Sequence, residues 1–288
     1  MSTEGLVLVD KPAGWTSHDV VARIRRLAGT RRVGHAGTLD PMATGLLIVG
    51  VERATRLLGH LALHDKDYLA SIRLGVTTVT DDAEGEVVDV VDASAVSDAS
   101  LATAMAALTG ELMQVPSSVS AIKVDGKRAY ARTRAGESVE LAARPVHVER
   151  FELLARRGDE LDVAVTCSTG TYVRALARDL GASLGVGAHL TALRRTRIGG
   201  FRIDDAATLD QLATQFEAIP LDAALRATFP VRLLTDDEVF RVARGQRIED
   251  AEMPAGPVAA FGPDGSAVAL LEQRDGRVRS LVVFAPAT

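Results

Sequence analysis

Apolar residues follow different spacings along the chain, and the spacings predict strands and helices. The apolar run at residues 5–9 ends in the turn-forming sequence 10–14, which predicts a strand that enters a turn. The next segment, from Thr16 to Gly29, has apolar residues at helical spacing and opens with a capping-box sequence, so it predicts an amphipathic helix. Residues 68–74 alternate between apolar and polar, which predicts a half-buried strand, and residues 86–91 predict another.

The second half of the chain repeats these patterns. Apolar residues at 101, 105 and 108, followed by Gly110, predict a helix with a buried stripe. Residues 161–167 alternate as a strand does, and a helix is predicted after Gly170. The single cysteine, Cys167, falls on the apolar side of that alternation. We therefore expect it to be a small buried residue and not a nucleophile.

The pattern changes after residue 230. Thr235 and Glu238 form a capping box that predicts a short helix. Three β-type runs follow, separated by turn sequences at residues 263–265 and 274–276. This predicts a small β-meander module with a boundary near residues 227–231.

Composition places the chain among ordinary globular proteins. It has 288 residues, of which 47% are hydrophobic and 25% charged, and this length suggests about two domains. No apolar stretch approaches the ~20 residues of a membrane span. The N-terminus lacks the features of a secretory signal, so we expect a cytoplasmic protein without a membrane partner. One cysteine excludes disulfide-rich and zinc-finger classes.

Charge is unevenly distributed. The formal net charge of −5 argues against a nucleic-acid partner. Arginines nevertheless crowd residues 23–32 and 194–202, while residues 80–100 carry seven acids and no base. Because the local field steers a polyanion, the two arginine clusters leave nucleic-acid binding open.

Cofactor signatures are missing from the sequence. It contains neither the dinucleotide fingerprint nor a phosphate loop. His60 and His64 have the spacing of metal ligands on a helix, but no Glu follows His60 and no third ligand is evident. The sequence therefore supports neither a nucleotide cofactor nor a metal site at these two histidines.

The most unusual segment is residues 32–49. Three glycines, His35 and the pair Asp40-Pro41 form an irregular loop that leads directly into an apolar, strand-like run. Loops held on a rigid strand often carry catalytic side chains. An Asp before a proline is also a common turn former, and the residue pattern by itself favours that role for Asp40.

Five sequence blocks occur in a characteristic order. They are Lys-Pro-x-Gly-x-Thr-Ser at residues 11–17, Gly-His-x-Gly-x-Leu-Asp-Pro-x-Ala-Thr-Gly-Leu-Leu at 34–47, Lys-x-Tyr at 66–68 with Leu-Gly at 74–75, Gly-Thr-Tyr-Val-Arg-x-Leu-Ala-x-Asp-Leu-Gly at 170–181, and Leu-Arg-Arg-Thr-x-Ile-Gly-x-Phe at 193–201. Together they closely resemble the TruB family of bacterial tRNA pseudouridine synthases, which modify uridine 55 of the T-loop. The resemblance covers residues 5–220.

The resemblance implies an architecture. The expected fold is an α/β (α+β) pseudouridine synthase fold, with a mixed, largely antiparallel central sheet flanked by helices. Residues 1–228 would form the catalytic domain, with an RNA-gripping insertion at about 118–145. Residues 229–288 would form a PUA-like RNA-binding module. The implied protein is a monomer that acts on the T-stem-loop of tRNA without a cofactor or an obligate protein partner.

The resemblance also implies catalytic roles. Asp40 would act at the ribose C1′, either as a nucleophile or by removing the 2′ proton, and the sequence leaves both routes open. Arg174 would pair with Asp40; the alternative is an exposed helix charge. Tyr68 would stack on the extruded uracil and assist removal of the C5 proton; the alternative is a tyrosine packed in the core.

Other site residues follow from the same resemblance. His35 would occupy the gap left by the flipped base, and Asp82 would lie near the active-site tyrosine. The remaining predicted substrate-binding residues are Lys11, Tyr172 and Leu193, with a plain turn or core role as the alternative for Lys11 and Leu193. The chain departs from the family pattern at Val79 and Val119, which weakens a polar role near the first and puts a pocket aromatic in doubt at the second.

Two alternatives to this function remain. A guide-RNA-dependent pseudouridine synthase would share the chemistry but act with protein partners. A non-catalytic tRNA-binding or folding chaperone would use Asp40 only as a turn residue.

Overall fold

The structure is a computed structural model that describes residues 3–117, 123–124, 127–128, 141–248, 253–274 and 276–285. Most of the RNA-gripping insertion predicted at 118–145 lies outside these residues. The strands are β1 (Gly5–Lys11), β2 (Val33–Ala36), β3 (Thr44–Val51), β4 (Lys66–Leu74), β5 (Val76–Thr78), β6 (Val87–Val90), β7 (Gly110–Gln114), β8 (Lys123–Val124), β9 (Lys127–Arg128), β10 (Arg144–Arg157), β11 (Glu160–Cys167), β12 (Ala188–Ile198), β13 (Phe201–Arg202), β14 (Val231–Leu233), β15 (Pro257–Phe261), β16 (Ala267–Arg274) and β17 (Arg277–Val283).

Helices connect these strands. They are α1 (Ser17–Ala28), α2 (Leu58–Leu61), α3 (Asp98–Ala107), α4 (Val173–Ser183), α5 (Leu209–Thr214), α6 (Leu221–Thr228) and α7 (Asp236–Ala243), with short 3₁₀ segments at Glu52–Leu57 and Ile203–Asp205. The capping box predicted for α1 is confirmed, because Asp19 and Thr16 bond reciprocally and Gly29 ends the helix in a left-handed conformation.

The main sheet has nine strands and a path β1-β3-β12-β4-β11-β10-β7, with β2 added to β3 and β13 to β12. Neighbours pair antiparallel except β3 and β12, which run parallel. The predicted mixed, largely antiparallel sheet is confirmed. Residues 86–91 do contain a strand, β6, but it pairs with β5 in a separate two-stranded sheet.

Both faces of the β1–β3 half of the sheet are covered, which explains its unbroken apolar runs. Val7 and Val9 share a core cluster with Val20 and Ile24 of α1. The alternate residues of β1, Leu6 and Leu8, face the opposite cluster, which includes residues from α6 and the C-terminal sheet. Since successive side chains of a strand point to opposite faces, both sets must be apolar here.

The C-terminal module is a four-stranded sheet in the order β14-β15-β16-β17. β15 to β17 form the predicted meander, whereas β14 joins β15 in parallel after the crossover through α7. Phe261 and Phe284 share one hydrophobic cluster with Leu8 and Ile48 of the main sheet. The division at residues 228 and 229 stays a prediction, because the two parts share this core.

Gly45 is needed where β3 meets β12. It has a φ of +98°, and a Cβ at this position would lie 2.3 Å from the carbonyl oxygen of Arg195. We expect Gly45→Ala to lower the free energy of unfolding by about 1–3 kcal/mol because the added carbon meets backbone that cannot move aside. Urea unfolding followed by circular dichroism measures the change.

A matched control is available at the end of α1. Gly29 has a φ of +66°, and a Cβ added to it would have no other atom within 4 Å. Gly29→Ala therefore carries the conformational cost without a clash. If both substitutions lower the free energy of unfolding equally, the close contact with the Arg195 carbonyl adds nothing to the cost of Gly45→Ala.

Candidate active site

Four side chains from two adjacent strands meet on one face of the main sheet. Lys66 and Tyr68 are two residues apart on β4, and Leu193 and Arg195 are two apart on β12, so each pair shares a face. Tyr68 and Arg195 are direct cross-strand partners. All four line a cavity of about 250 Å³, together with Asp40 and Arg174.

The loop that carries Asp40 is fixed by hydrogen bonds on both sides of that residue. The Ser17 hydroxyl accepts from the Leu39 N–H at 2.9 Å and donates to the Leu39 carbonyl at 3.2 Å. The Lys11 ammonium donates to the Pro41 carbonyl at 3.2 Å, and the Gly14 N–H donates to the same oxygen at 2.8 Å. The start of α1 and the turn after β1 therefore position the Asp40 carboxylate.

Arg174 holds two carboxylates. Its Nε lies 3.0 Å from Oδ2 of Asp40, and its Nη1 lies 3.4 Å from Oδ2 of Asp82 and donates to the Thr80 carbonyl. Arg174 and Asp82 are 3% and 2% exposed, while the Asp40 side chain keeps 36% exposure at the cavity. The alternative that Arg174 is an exposed charge on a helix is therefore wrong. Arg174 is a buried residue of α4, and its guanidinium orients the Asp40 carboxylate.

Burial raises the pKa of the Asp40 carboxyl above its usual value, and the Asp82 carboxylate raises it further, while Arg174 and Lys11 oppose both effects. Burial lowers the pKa of Lys11 to about 8, against the attraction of Asp40. Lys11 therefore keeps its charge at pH 7 and contributes positive potential beneath the Asp40 loop.

This environment predicts an acid limb in the pH dependence of any reaction that uses the Asp40 carboxylate. Because the pKa of Asp40 is raised above 3.8, the rate should fall about tenfold per pH unit at pH values below that raised pKa, where the carboxyl is protonated. Asp82→Asn removes a neighbouring negative charge and should move the limb to lower pH. Single-turnover rates between about pH 4 and 8 measure both, and a rate that shows no acid limb down to about pH 4 would contradict the prediction.

Tyr68 is a buried residue that also lines the cavity. It belongs to the core cluster of the main sheet, and its ring also lines the cavity beside Asp40. Burial raises the pKa of its hydroxyl, and the neighbouring Arg195 guanidinium opposes this.

Two other predicted substrate residues, Leu193 and Tyr172, also line the cavity. The buried Gln114 amide fixes Tyr172 by accepting from its N–H at 2.8 Å and donating to its carbonyl at 3.1 Å. His35 is not among the described residues that line the cavity. It lies on β2, with its ring edge-on to that of His18 at 5.6 Å.

Arg195 and Lys66 are the charged cavity residues that sequence reasoning missed as site residues. Both lie within the recognised sequence blocks, two residues from Leu193 and Tyr68, and strand periodicity places them on the same face.

The arginines at residues 194–202 do not all form an exposed basic surface. Arg194 pairs with Asp10 at 2.8 Å and Arg197 with Asp67 at 2.6 Å, whereas Arg195 is 1% exposed.

Among the described residues, no group of three His, Cys, Asp or Glu side chains could hold a metal ion. His60 and His64 instead lie near the Phe229 ring, at 6.5 and 6.3 Å between centroids.

Cys167 is buried, and burial raises the pKa of its thiol to about 12, as expected for a core residue. In the described part of the chain, none of the helices has the length and apolar character required to cross a bilayer.

Known structures share this architecture. A crystal structure of a Cbf5–Nop10–Gar1 complex matches with a TM-score of 0.75 and 27% identity, covering 100% of this chain and 87% of the other. A structure of an H/ACA RNP bound to a substrate RNA containing 2′-deoxyuridine matches with a TM-score of 0.74 and 26% identity, covering 99% and 86%.

Sequence comparisons agree with the fold. The family model of the TruB family pseudouridylate synthase N-terminal domain matches residues 25–173, and the C-terminal family models "tRNA pseudouridylate synthase B C-terminal domain" and "tRNA Pseudouridine synthase II, C terminal" match residues 174–229 and 229–285. The fold is thus that of a pseudouridylate synthase.

Relatives identify the family within that class. Proteins named tRNA pseudouridine synthase B are 58% identical in Thermobifida fusca (strain YX), over 98% of this chain and 99% of theirs, and 56% identical in Arthrobacter sp. (strain FB24), over 98% and 97%. The chain belongs to the TruB family of pseudouridylate synthases.

Proposed function

We propose that this chain isomerises uridine 55 in the T-loop of tRNA to pseudouridine, with Asp40 as its catalytic residue. The observation that carries the proposal is the Asp40–Arg174 ion pair, 3.0 Å long, at the wall of a cavity that also contains Tyr68. A carboxylate oriented by Arg174 and an aromatic side chain thus line one cavity of about 250 Å³, which supports a site for an extruded base.

The target uridine must leave its stack before the carboxylate can reach C1′. In the proposed complex the uracil enters the cavity and stacks on Tyr68, a contact worth ~1–3 kcal/mol in other nucleic-acid complexes. Asp40 then acts at the sugar, by attack on C1′ or by removal of the 2′ proton. Uracil detaches through N1, turns, rejoins C1′ through C5 and loses the C5 proton. Product and substrate are isomers, so we propose that no cofactor takes part.

The relatives support tRNA as the substrate. Proteins named tRNA pseudouridine synthase B align with nearly the whole chain at 56–58% identity, whereas the matching chains of the H/ACA RNP and of the Cbf5-containing complexes are 26–28% identical. This contrast favours a stand-alone tRNA enzyme over a guide-dependent one. We extend the proposal to a cytoplasmic monomer without an obligate protein partner, whose C-terminal module docks on the acceptor side of the tRNA.

The non-catalytic alternative explains less of the site. A chaperone that binds the T-stem-loop has no use for a buried arginine that orients a carboxylate toward a cavity. The test is an unmodified T-stem-loop transcript carrying tritium at uracil C5, mixed with the purified protein and no cofactor. An enzyme releases tritium, and a transcript with cytidine at position 55 should release none if that position is the target. Binding without release would support the chaperone.

A further inference from the structure

Arg195 and Lys66 are two buried cations on the wall of the cavity that the catalytic scheme above does not use. Arg195 donates to the carbonyls of Leu46 at 2.8 Å and Gly37 at 3.1 Å. Lys66 donates to the carbonyls of Ala62 at 2.9 Å and His64 at 2.6 Å. In the part of the chain that the structure describes, neither side chain forms an ion pair with a carboxylate.

Neighbouring arginines on the same strand show that this is unusual. Arg194 and Arg197 also belong to β12, yet each makes a bidentate contact with a carboxylate, Asp10 and Asp67 respectively. Of these three arginines of β12, Arg195 is the one that lines the cavity. A buried cation without a counter-ion is costly to a protein, so its retention here indicates that an anionic ligand group completes the site.

The two cations share one electrostatic environment. The pKa of Lys66 is lowered to about 8, chiefly by burial and secondly by the positive charge of Arg195. The Lys66 ammonium is still charged at pH 7. Asp40 also lines this cavity, but its carboxylate is paired with Arg174. The cavity therefore has a positive region, formed by β4 and β12, that the Asp40–Arg174 pair does not neutralise.

The reaction generates an anion in the same cavity. When the N1–C1′ bond breaks, both bonding electrons stay with N1, and the uracil becomes a monoanion whose charge is shared with O2 and O4. C1′ is then bonded to the Asp40 carboxylate or, on the other route, doubly bonded to C2′ after loss of the 2′ proton. The charge appears on uracil in both routes. It leaves uracil when C5 bonds to C1′, because that step either breaks the bond from C1′ to Asp40 and restores the carboxylate, or returns the 2′ proton from Asp40 to C2′. The C5 proton is then lost and N1 gains a proton, so the product is an isomer of the substrate.

We propose that Arg195, with Lys66 beside it, stabilises the uracil anion formed on cleavage of the glycosidic bond. This inference rests on the proposed function. Fixed charges in a site that excludes water stabilise a developing anion without reorganisation. The competing ligand is a backbone phosphate of the RNA, which carries its negative charge before and after the reaction and would be recognised in binding alone.

Single-turnover kinetics at saturating enzyme separate these two ligands. We expect Arg195→Met to lower the rate constant by about 10²–10³-fold, the range for loss of one group that stabilises a transition-state anion, while Kd for the stem-loop stays within about threefold. Arg195→Lys should restore part of the rate. Arg73→Met is the matched control, since Arg73 is an exposed arginine of β4 paired with Glu160, and it should leave the rate unchanged.

A second measurement tests the anion itself. Fluorine at C5 withdraws electrons and stabilises the same uracil anion, so the defect of Arg195→Met should be smaller for consumption of 5-fluorouridine than for uridine conversion. If Arg195→Met does not fold by circular dichroism, the same comparison is made with Arg195→Lys. The inference would be overturned if Arg195→Met lowered the rate equally for both nucleosides, or if it increased Kd and left the rate unchanged. A wild-type protein that converts no uridine would refute the proposed function instead.

Discussion

Asp40→Asn should abolish tritium release from the T-stem-loop, with a loss of at least about 10⁴-fold, the size seen when an essential catalytic group is removed. The amide has nearly the shape of the carboxylate but can neither attack C1′ nor accept the 2′ proton. Arg174 keeps its second partner, Asp82, at 3.4 Å, so the cavity should retain its form. Binding of the stem-loop, measured by filter retention, should therefore be nearly unchanged.

The matched control for this substitution is Asp92→Asn. Asp92 is an exposed acid whose carboxylate bonds within its own turn, to Ser94, and its loss should leave tritium release at the wild-type rate. Wild-type turnover by Asp40→Asn would show that the assignment of Asp40 is wrong and would return it to the role of a turn residue before Pro41.

Arg174→Met should have the largest effect on stability. It leaves Asp82, which is 2% exposed, without its counter-ion, and breaking a buried pair in this way typically costs about 3–5 kcal/mol. It also releases the Asp40 carboxylate from its fixed orientation, so the rate should fall in any protein that still folds. Urea unfolding measures the stability, and single-turnover tritium release measures the rate.

Two further variants isolate the charge effect. Combining Arg174→Met with Asp82→Asn removes the uncompensated charge and should recover part of the lost stability, which appears as a coupling energy in the double-mutant cycle. Arg178→Met is the control on the same helix, since Arg178 is partly exposed and pairs with Asp81 at 3.2 Å. The Arg178 side chain is 28% exposed and that of Asp81 13%, so loss of this less buried pair should cost less stability than loss of Arg174. Equal destabilisation by Arg174→Met and Arg178→Met would contradict a special role for the buried pair.

Local patterns predicted the elements that surround the site. Helical spacing and the Thr16–Asp19 capping box located α1, and the alternation at residues 68–74 located β4. These predictions succeed because strand and helix periodicities depend on neighbours a few residues apart. The same reasoning placed residues 86–91 in a strand but could not assign its partner, which depends on a different segment of the chain.

The site was predictable only where the family resemblance reached it. On local grounds Asp40 was a turn former and Arg174 a surface charge, and the resemblance joined them although they lie far apart in the sequence. Lys66 and Arg195 were not predicted as site residues, because a basic residue at a strand position ordinarily indicates an exposed edge or face of the sheet. The burial of Arg195 depends on the loop containing Gly37, whose carbonyl accepts from its guanidinium.

The amino-acid sequence by itself determined the strands and helices, the capped start of α1, the apolar faces of the core and, through five ordered blocks, the family. The tertiary structure alone decided which charges meet: Arg174 between Asp40 and Asp82, Arg194 with Asp10, and Arg195 with no carboxylate in the described residues. The physical reason is that periodicity is a short-range property of the backbone, whereas ion pairing and burial depend on strand order. Because β12 lies between β3 and β4 in the sheet, residues from distant parts of the sequence come together to line the cavity.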